Sequence, residues 1–119
     1  MFSNDEKRIT LNVIALNDKV EEYLRNNIVK DETGTKIILD SHISAIIMNE
    51  IDEKYNWCKL NGFNNVPIIC RPDLRLYFRR LIEKNFPRIQ VISYMEIPPD
   101  YKLEVLCSIE FKGYRNINL

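Results

Sequence analysis

The chain holds one histidine, and the residues beside it do not form a catalytic group. His42 directly follows Asp40 and Ser41. A Ser-His-Asp triad needs a serine presented on a sharp strand-to-helix turn and partners brought together by the fold. Here the aspartate and serine stand where a helix would be capped. With no second histidine and no cysteine cluster, the sequence predicts neither a metal site nor a cofactor.

Neighbouring carboxylates could serve as general acid and base at three places. These are Asp31–Glu32, Asp52–Glu53 and Glu96–Asp100. Each pair falls in a predicted turn or on the polar face of a helix, which is typical of solvated surface. Glu96 is the exception, because a rigid Pro-Pro turn follows it. We expect it to form a salt bridge with Arg71 or Arg88.

Basic residues recur along one predicted helix at steps of four. They are Arg71, Arg75, Arg79, Arg80, Lys84 and, beyond the helix, Arg88. They are interpreted either as a solvated face or as a docking surface for an acidic partner. Nucleic acid is disfavoured, because Lys+Arg and Asp+Glu are both 17 and no recognition motif is present.

Trp57 and Phe63 lie at the predicted loop between the second helix and the third strand. They are interpreted either as a hydrophobic lid over the sheet edge or as a partner-binding patch. Cys58, Cys70 and Cys107 match no zinc spacing and are expected to be free thiols in a reducing compartment. With only three glycines, a Gly-rich phosphate loop is strongly disfavoured.

The elements that must position these residues are centred on 66–100. A short apolar run there leads into a helix that begins at Pro72 and Asp73, stops before Pro87, and returns as another apolar run. The rest of the chain yields further strands and helices by apolar spacing. The predicted order is strands over Ile9–Leu16, Lys36–Leu39, Val66–Cys70, Ile89–Ser93 and Tyr101–Phe111, with helices over about 18–30, 42–55 and 72–86.

This β-α-β-α-β-α-β-β order predicts an α/β fold, a small mixed sheet with three helices packed on it. The last strand alternates apolar and polar residues, which favours an antiparallel edge or hairpin strand. Residues 1–8 are expected to be a disordered leader, 9–111 a single domain, and 112–119 a frayed tail.

One known family shares the pattern of this central stretch. The residues that carry the resemblance are Cys70, Arg71, Pro72, Asp73, Leu74, Arg75, Phe78, Arg79, Arg80, Leu81, Phe86, Pro87, Val91, Ser93, Tyr94, Glu96, Ile97 and Pro98. They resemble the C-terminal end of the FlhA/InvA/LcrD (FHIPEP) family of type III secretion and flagellar export gates. Weaker matches lie at Leu16–Leu24 and at Thr33–Asp40. Met95 and the absence of a glycine late in the last strand depart from the family pattern.

The resemblance implies the fourth, C-terminal subdomain of a larger inner-membrane protein, on its cytoplasmic face. It implies a nine-membered ring of gate subunits that meets the ATPase stalk and chaperone–substrate complexes, without enzymatic activity or direct membrane contact by this segment. The Asn- and Ile-rich composition favours the injectisome branch over the flagellar one.

Candidate partner-binding residues are therefore Arg71, Arg75, Arg79, Arg88, Trp57 and Phe63. Residues expected to shape the motif are Pro72, Asp73, Pro87, Tyr94, Glu96, Pro98 and Pro99. The alternative is a free-standing α/β adaptor that binds another protein. A small phosphate-binding enzyme is a third class, but the three predicted strand–helix joints lack glycine and carry acidic residues.

Overall fold

A computed structural model describes residues 9–111, so the leader and tail predicted at 1–8 and 112–119 lie outside the described residues. The elements in chain order are β1 (Ile9–Leu16), α1 (Asp18–Asn26), β2 (Ile28–Asp31), β3 (Gly34–Ile37), α2 (Ser41–Leu60), β4 (Ile68–Cys70), α3 (Pro72–Ile82), β5 (Val91–Ser93), a 3-10 turn (Tyr94–Glu96) and β6 (Tyr101–Ile109).

Strand β1 is central to a four-stranded parallel sheet of order β5-β4-β1-β6. It pairs with β6 along its whole length and with β4 only near Ile14, whose N–H also donates to the carbonyl of Pro67 at 2.9 Å. Val13 and Ile14 are completely buried. Burying each such side chain contributes about 1.5–3 kcal/mol, which explains why this apolar run lies inside the sheet.

The α/β architecture with three helices is confirmed, and the strands divide between a parallel sheet and an antiparallel hairpin, β2–β3. Helix α3 contacts β3, β4, β5 and α1, while α2 contacts β6. Phe78 and Leu74 of α3 and Ile47 of α2 are fully buried in one apolar cluster with the sheet. The helices therefore cover the sheet with the apolar stripes that their spacing predicts.

The predicted first helix is too long, because the segment expected to finish it is a strand. Helix α1 ends at Asn26, and the side-chain amide of Asn27 donates to the carbonyl of Tyr23 at 2.7 Å, which occupies a free helix-end acceptor. Ile28 and Val29 then pair with β3. Branching at Cβ favours strand over helix here, so the observed order has one strand more than predicted.

The turn predicted at Asp31–Glu32 is present, but it joins two strands and not a helix and a strand, with only two residues between β2 and β3. Gly34 has φ of 118°, a conformation that side chains disfavour. Asp31 accepts from the N–H of Thr33 at 2.8 Å and from its hydroxyl, and these bonds lower the pKa of the Asp31 carboxyl. Because pairing resumes at Gly34, β3 lies two residues earlier than the predicted 36–39.

Helix α2 begins where predicted and runs five residues further. The carboxylate of Asp40 accepts the N–H of His42 at 2.8 Å and caps the helix. No glycine or proline interrupts the chain before Gly62, which has φ of 87°, so the helix continues to Leu60. Helix α3 begins at Pro72 as predicted but ends at Ile82, five residues before Pro87. A hydrogen-bonded turn after Ile82, and not the proline, ends the helix.

Strands β4 and β5 begin two residues later than predicted, at Ile68 and Val91. Strand β4 is buried throughout, as a continuous apolar run predicts.

The prediction of an antiparallel last strand is wrong, because β6 runs parallel to β1. Alternation arises here because β6 is an edge strand that is only partly covered, and Val105 is 52% exposed. A bulge also places one extra residue, Leu106, opposite the step from Val13 to Ile14. The bulge shifts the predicted inward face out of phase along the strand.

Candidate functional site

Glu96 joins the edge strand β5 to helix α3. One of its carboxylate oxygens, Oε1, accepts the backbone N–H of Ser93 at 2.9 Å and lies 2.6 Å from Nε of Arg75. The predicted salt bridge of Glu96 is therefore present, but the predicted partners were wrong. Arg75 lies on the turn of α3 that faces this segment, whereas Arg71 lies at the start of the helix and Arg88 beyond its end.

Arg79 follows Arg75 by one helical turn and borders the same cleft, which has a volume of about 280 Å³. Its Nη2 donates to the carbonyl of Pro87 at 3.3 Å, which fastens the segment after α3 back onto the helix. Its Nη1 is inaccessible to water and has no hydrogen-bond partner among residues 9–111. Gln90, Val91, Ile92 and Glu96 complete the lining of the cleft.

The four candidate arginines do not form one continuous row. Arg75 and Arg79 line the cleft, while Arg71 and Arg88 are exposed elsewhere. The backbone N–H of Arg71, at the N-terminus of α3, donates to Oε2 of Glu21 at 3.0 Å. The four-residue spacing therefore places Arg75 and Arg79 on one helix face correctly. Arg71 and Arg88, at the two ends of the row, lie outside the cleft.

Trp57 and Phe63 do not share a surface recess. Trp57 is 45% exposed and borders a shallow recess of about 290 Å³ with Lys54, Leu106 and Cys107. Phe63 instead packs against the core and lines a separate cleft beside the first half of β1. Trp57 and Phe63 therefore do not form one joint patch, and Trp57 is the more exposed of the two.

The motif residues have separate local roles. Pro72 is the first residue of α3, and Asp73 in its first turn lies 3.8 Å from Nη1 of Arg25 on α1. Tyr94 begins the 3-10 turn and is 47% exposed. Pro98 and Pro99 follow this turn, and the carbonyl of Pro98 accepts the N–H of Tyr101 at the start of β6.

The three cysteines are free thiols, as predicted. Cys58 and Cys70 are buried, and Sγ of Cys58 lies 3.8 Å from Sγ of half-buried Cys107. Burial raises the pKa of Cys70 and of Cys107 to about 12. Both thiols are therefore protonated at neutral pH and are poor nucleophiles. Among residues 9–111 no three potential ligands cluster closely enough to hold a metal ion.

Two buried glutamates connect separate elements. Glu21 of α1 is 7% exposed and accepts the N–H of Arg71. Burial is the main reason that its pKa is raised, against the opposing effect of that hydrogen bond. Glu50 of α2 is 4% exposed and accepts the N–H of Glu110 at 3.0 Å, just after β6. The sequence signal that could have identified both residues is their position on the buried sides of α1 and α2.

Comparison with known proteins places these features in a family. The FHIPEP family model matches residues 2–102. The chain belongs to the FHIPEP family. It is 28% identical to protein MxiA of Shigella flexneri over 99 residues and 24% identical to the flagellar biosynthesis protein FlhA of Bacillus subtilis over 94 residues. These matches cover 83% and 79% of this chain but only 14% of each relative.

Two solved structures have the same fold. The nonameric SctV-C of EPEC matches with a TM-score of 0.70 at 25% identity, over 85% of this chain and 29% of that one. The CdsV protein of Chlamydia pneumoniae, in a complex with CdsO, matches with a TM-score of 0.70 at 27% identity, over 89% and 31%. The FHIPEP chain therefore corresponds to under a third of either structure.

Proposed function

We propose that this chain is a non-enzymatic protein-interaction domain of a type III secretion export gate. The observation that carries the proposal is the family match, which runs through β1 to the start of β6. The similar structures include a nonameric SctV-C and a CdsV–CdsO complex. In this proposal the chain is the fourth subdomain of a cytoplasmic ring and contributes surface to partner docking.

The partners proposed for the ring are the ATPase stalk, chaperone–substrate complexes and neighbouring gate subunits. Surfaces available for such contacts are the recess at Trp57 and the exposed arginines Arg71 and Arg88. Arg75 and Arg79 also make contacts within the domain, so they combine a structural role with any docking role. Protonated, buried thiols and the lack of a metal cluster among residues 9–111 support a contact function over catalysis.

The proposed location is the cytoplasmic face of the bacterial inner membrane, because the family's gates belong to export systems of that membrane. No helix within residues 9–111 is both long and apolar enough to cross a bilayer.

The role is tested in the bacterium that encodes the protein. An in-frame deletion of codons 9–111 should abolish secretion of type III substrates into the medium, measured by immunoblot of culture supernatants. An immunoblot of membranes checks that the shortened gate is still present. In parallel, the purified chain should bind the stalk protein encoded with the same secretion system, measured by biolayer interferometry. Normal secretion by the deletion strain with the shortened gate present would overturn the proposal.

A further inference from the structure

Two cysteines from separate elements lie side by side where α2 packs against β6. Sγ of Cys58, near the C-terminal end of α2, is 3.8 Å from Sγ of Cys107 in β6. The two sulfurs of a disulfide bond are about 2.05 Å apart. The remaining approach is small enough for modest rotations of both side chains about their Cα–Cβ bonds to supply it. The pair is therefore placed to form a disulfide within the folded domain.

The outer thiol of this pair is accessible from solvent. Cys107 is half-buried and lines the recess of about 290 Å³ that Trp57 also borders. A water molecule occupies only about 30 Å³ in the liquid, so an oxidant as small as hydrogen peroxide fits into this recess. Cys58 is completely buried. The first encounter with an oxidant therefore falls to Cys107, and Cys58 is the neighbour that can react with the product.

We propose that Cys58 and Cys107 form a peroxide-sensitive disulfide that joins α2 covalently to the edge strand β6. The sulfur of Cys107 attacks one oxygen of hydrogen peroxide, the O–O bond breaks, and a sulfenic acid and one water result. The sulfur of Cys58 then attacks the sulfur of Cys107, the S–O bond breaks, and a second water leaves. The two thiols lose two electrons and two protons, and the peroxide is reduced to two waters.

The surroundings of the pair set how readily this bond forms and opens. Burial raises the pKa of Cys107 to about 12, so little thiolate is present at neutral pH and the first step is slow. The second step benefits from proximity, because both sulfurs belong to one folded chain. Small thiols reopen a disulfide by exchange. The bond would therefore accumulate only under sustained oxidant, and it does not depend on the proposed function.

The test treats the 119-residue chain with excess hydrogen peroxide at mildly alkaline pH, which raises the thiolate fraction. After digestion without reduction, mass spectrometry should show the peptides of Cys58 and Cys107 joined, with the loss of two hydrogen atoms. Dithiothreitol should separate them. Oxidation of Cys107 to a sulfinic acid while Cys58 stays a free thiol would overturn the proposal, and so would a disulfide between two copies of the chain.

Serine variants show whether the two thiols act as a pair. Cys70→Ser is the matched control, because Cys70 is also completely buried but lies in the interior strand β4, and this variant should form the same linked peptides. In Cys58→Ser, Cys107 should proceed to the sulfinic acid. In Cys107→Ser, Cys58 should stay reduced, and this arm remains informative if Cys58→Ser fails to fold. A link from Cys58 to Cys70 in Cys107→Ser would contradict the proposal, because it would show that thiols pair without being neighbours.

Two physical readouts follow the bond in the intact protein. It would join residues 49 positions apart and restrict the unfolded chain, so the midpoint of thermal unfolding should rise by about 5–15 °C on oxidation. Trp57, the one tryptophan of the sequence, directly precedes Cys58. A disulfide quenches nearby indole fluorescence, so its emission should fall on oxidation and recover with dithiothreitol. Cys107→Ser should show neither change. An unchanged or lowered midpoint of the oxidised parent would refute a bond that the folded domain accommodates.

Discussion

Glu21 offers the sharpest test of what holds the helices in place, because its carboxylate connects α1 to the start of α3. Helix α3 has no side-chain cap at Arg71, so Glu21 is the group that satisfies the N–H at this helix end. A negative charge there also interacts favourably with the helix dipole. The cost is the burial of a carboxylate that is only 7% exposed.

Two substitutions separate the hydrogen bond from the charge. Glu21→Ala removes the acceptor, and losing a hydrogen bond to a charged group costs about 1.5–3 kcal/mol. Relief of the buried charge offsets part of this, so we expect a loss of about 2 kcal/mol in the free energy of unfolding at pH 7. Glu21→Gln keeps a neutral acceptor and removes the buried charge, so its stability should stay within about 1 kcal/mol of the parent.

The pH dependence of the stability difference between the parent and Glu21→Gln is an independent test, because the pKa shift of Glu21 fixes its sign. Burial raises the pKa of folded Glu21 above its ordinary value of 4.5. The folded state therefore holds this proton more tightly than the unfolded state, and the resulting stabilisation is complete below pH 4.5 and is lost as pH rises through the folded pKa. Relative to the parent, Glu21→Gln should accordingly gain stability as pH rises through this window.

Urea denaturation, followed by circular dichroism at several pH values, measures both effects. Glu22→Ala and Glu22→Gln are the matched controls, because Glu22 is the exposed neighbour on the same helix, and each should change stability by less than about 0.5 kcal/mol. Equal stability of Glu21→Ala and Glu21→Gln would refute the capping role. A relative loss of stability for Glu21→Gln with rising pH would refute the assigned direction of the pKa shift.

Three further outcomes are expected from the same denaturation assay. Glu50→Ala should lower the free energy of unfolding by about 1–3 kcal/mol, because it leaves the N–H of Glu110, just after β6, without its acceptor. Asp52→Ala, on the exposed side of α2, should not lower it, and equal effects of the two variants would contradict this role of Glu50. Gly62→Ala should lower the free energy of unfolding by about 1 kcal/mol, because a side chain disfavours the φ of 87° at this position. A steric clash does not contribute, since an added Cβ would meet no atom within 4 Å. An unchanged denaturation midpoint would contradict this backbone effect. Arg75→Glu should destabilise by about 1–2 kcal/mol by facing Glu96 with a second carboxylate, whereas exposed Arg88→Glu should not, and similar losses would argue against a specific ion pair.

The sequence predicted the fold class because its signals were local and agreed with one another. Strand β1 was predicted at its observed limits, and Asp40 and Pro72 mark the starts of two helices correctly. The errors arose where tertiary contacts decided the outcome. Ile28 continues the apolar spacing of α1, and only its pairing with β3 makes it a strand residue. The direction of β6 is likewise set by its partner β1, which its own alternation does not reveal.

The candidate surfaces were predicted less completely, for a related reason. Spacing places Arg75 and Arg79 on one helix face, but it does not show that Glu96 and the carbonyl of Pro87 approach them from the segments around β5. Trp57 and Phe63 lie near each other in sequence, yet α2 continues past Tyr55 and directs them to different recesses. Whether two residues that are close in sequence share a surface can be predicted only when the limits of the element that joins them are predicted correctly.

The contact between Glu96 and β5 protects the outer edge of the sheet. Exposed sheet edges invite unwanted pairing, and charged side chains are a usual protection. Glu96 accepts the N–H of Ser93 and contacts the guanidinium of Arg75, and so covers the end of β5. Substitution of Glu96 would therefore leave the N–H of Ser93 without this acceptor and remove the ion pair with Arg75 at the same time, so Glu96 is a structural residue of this sheet edge.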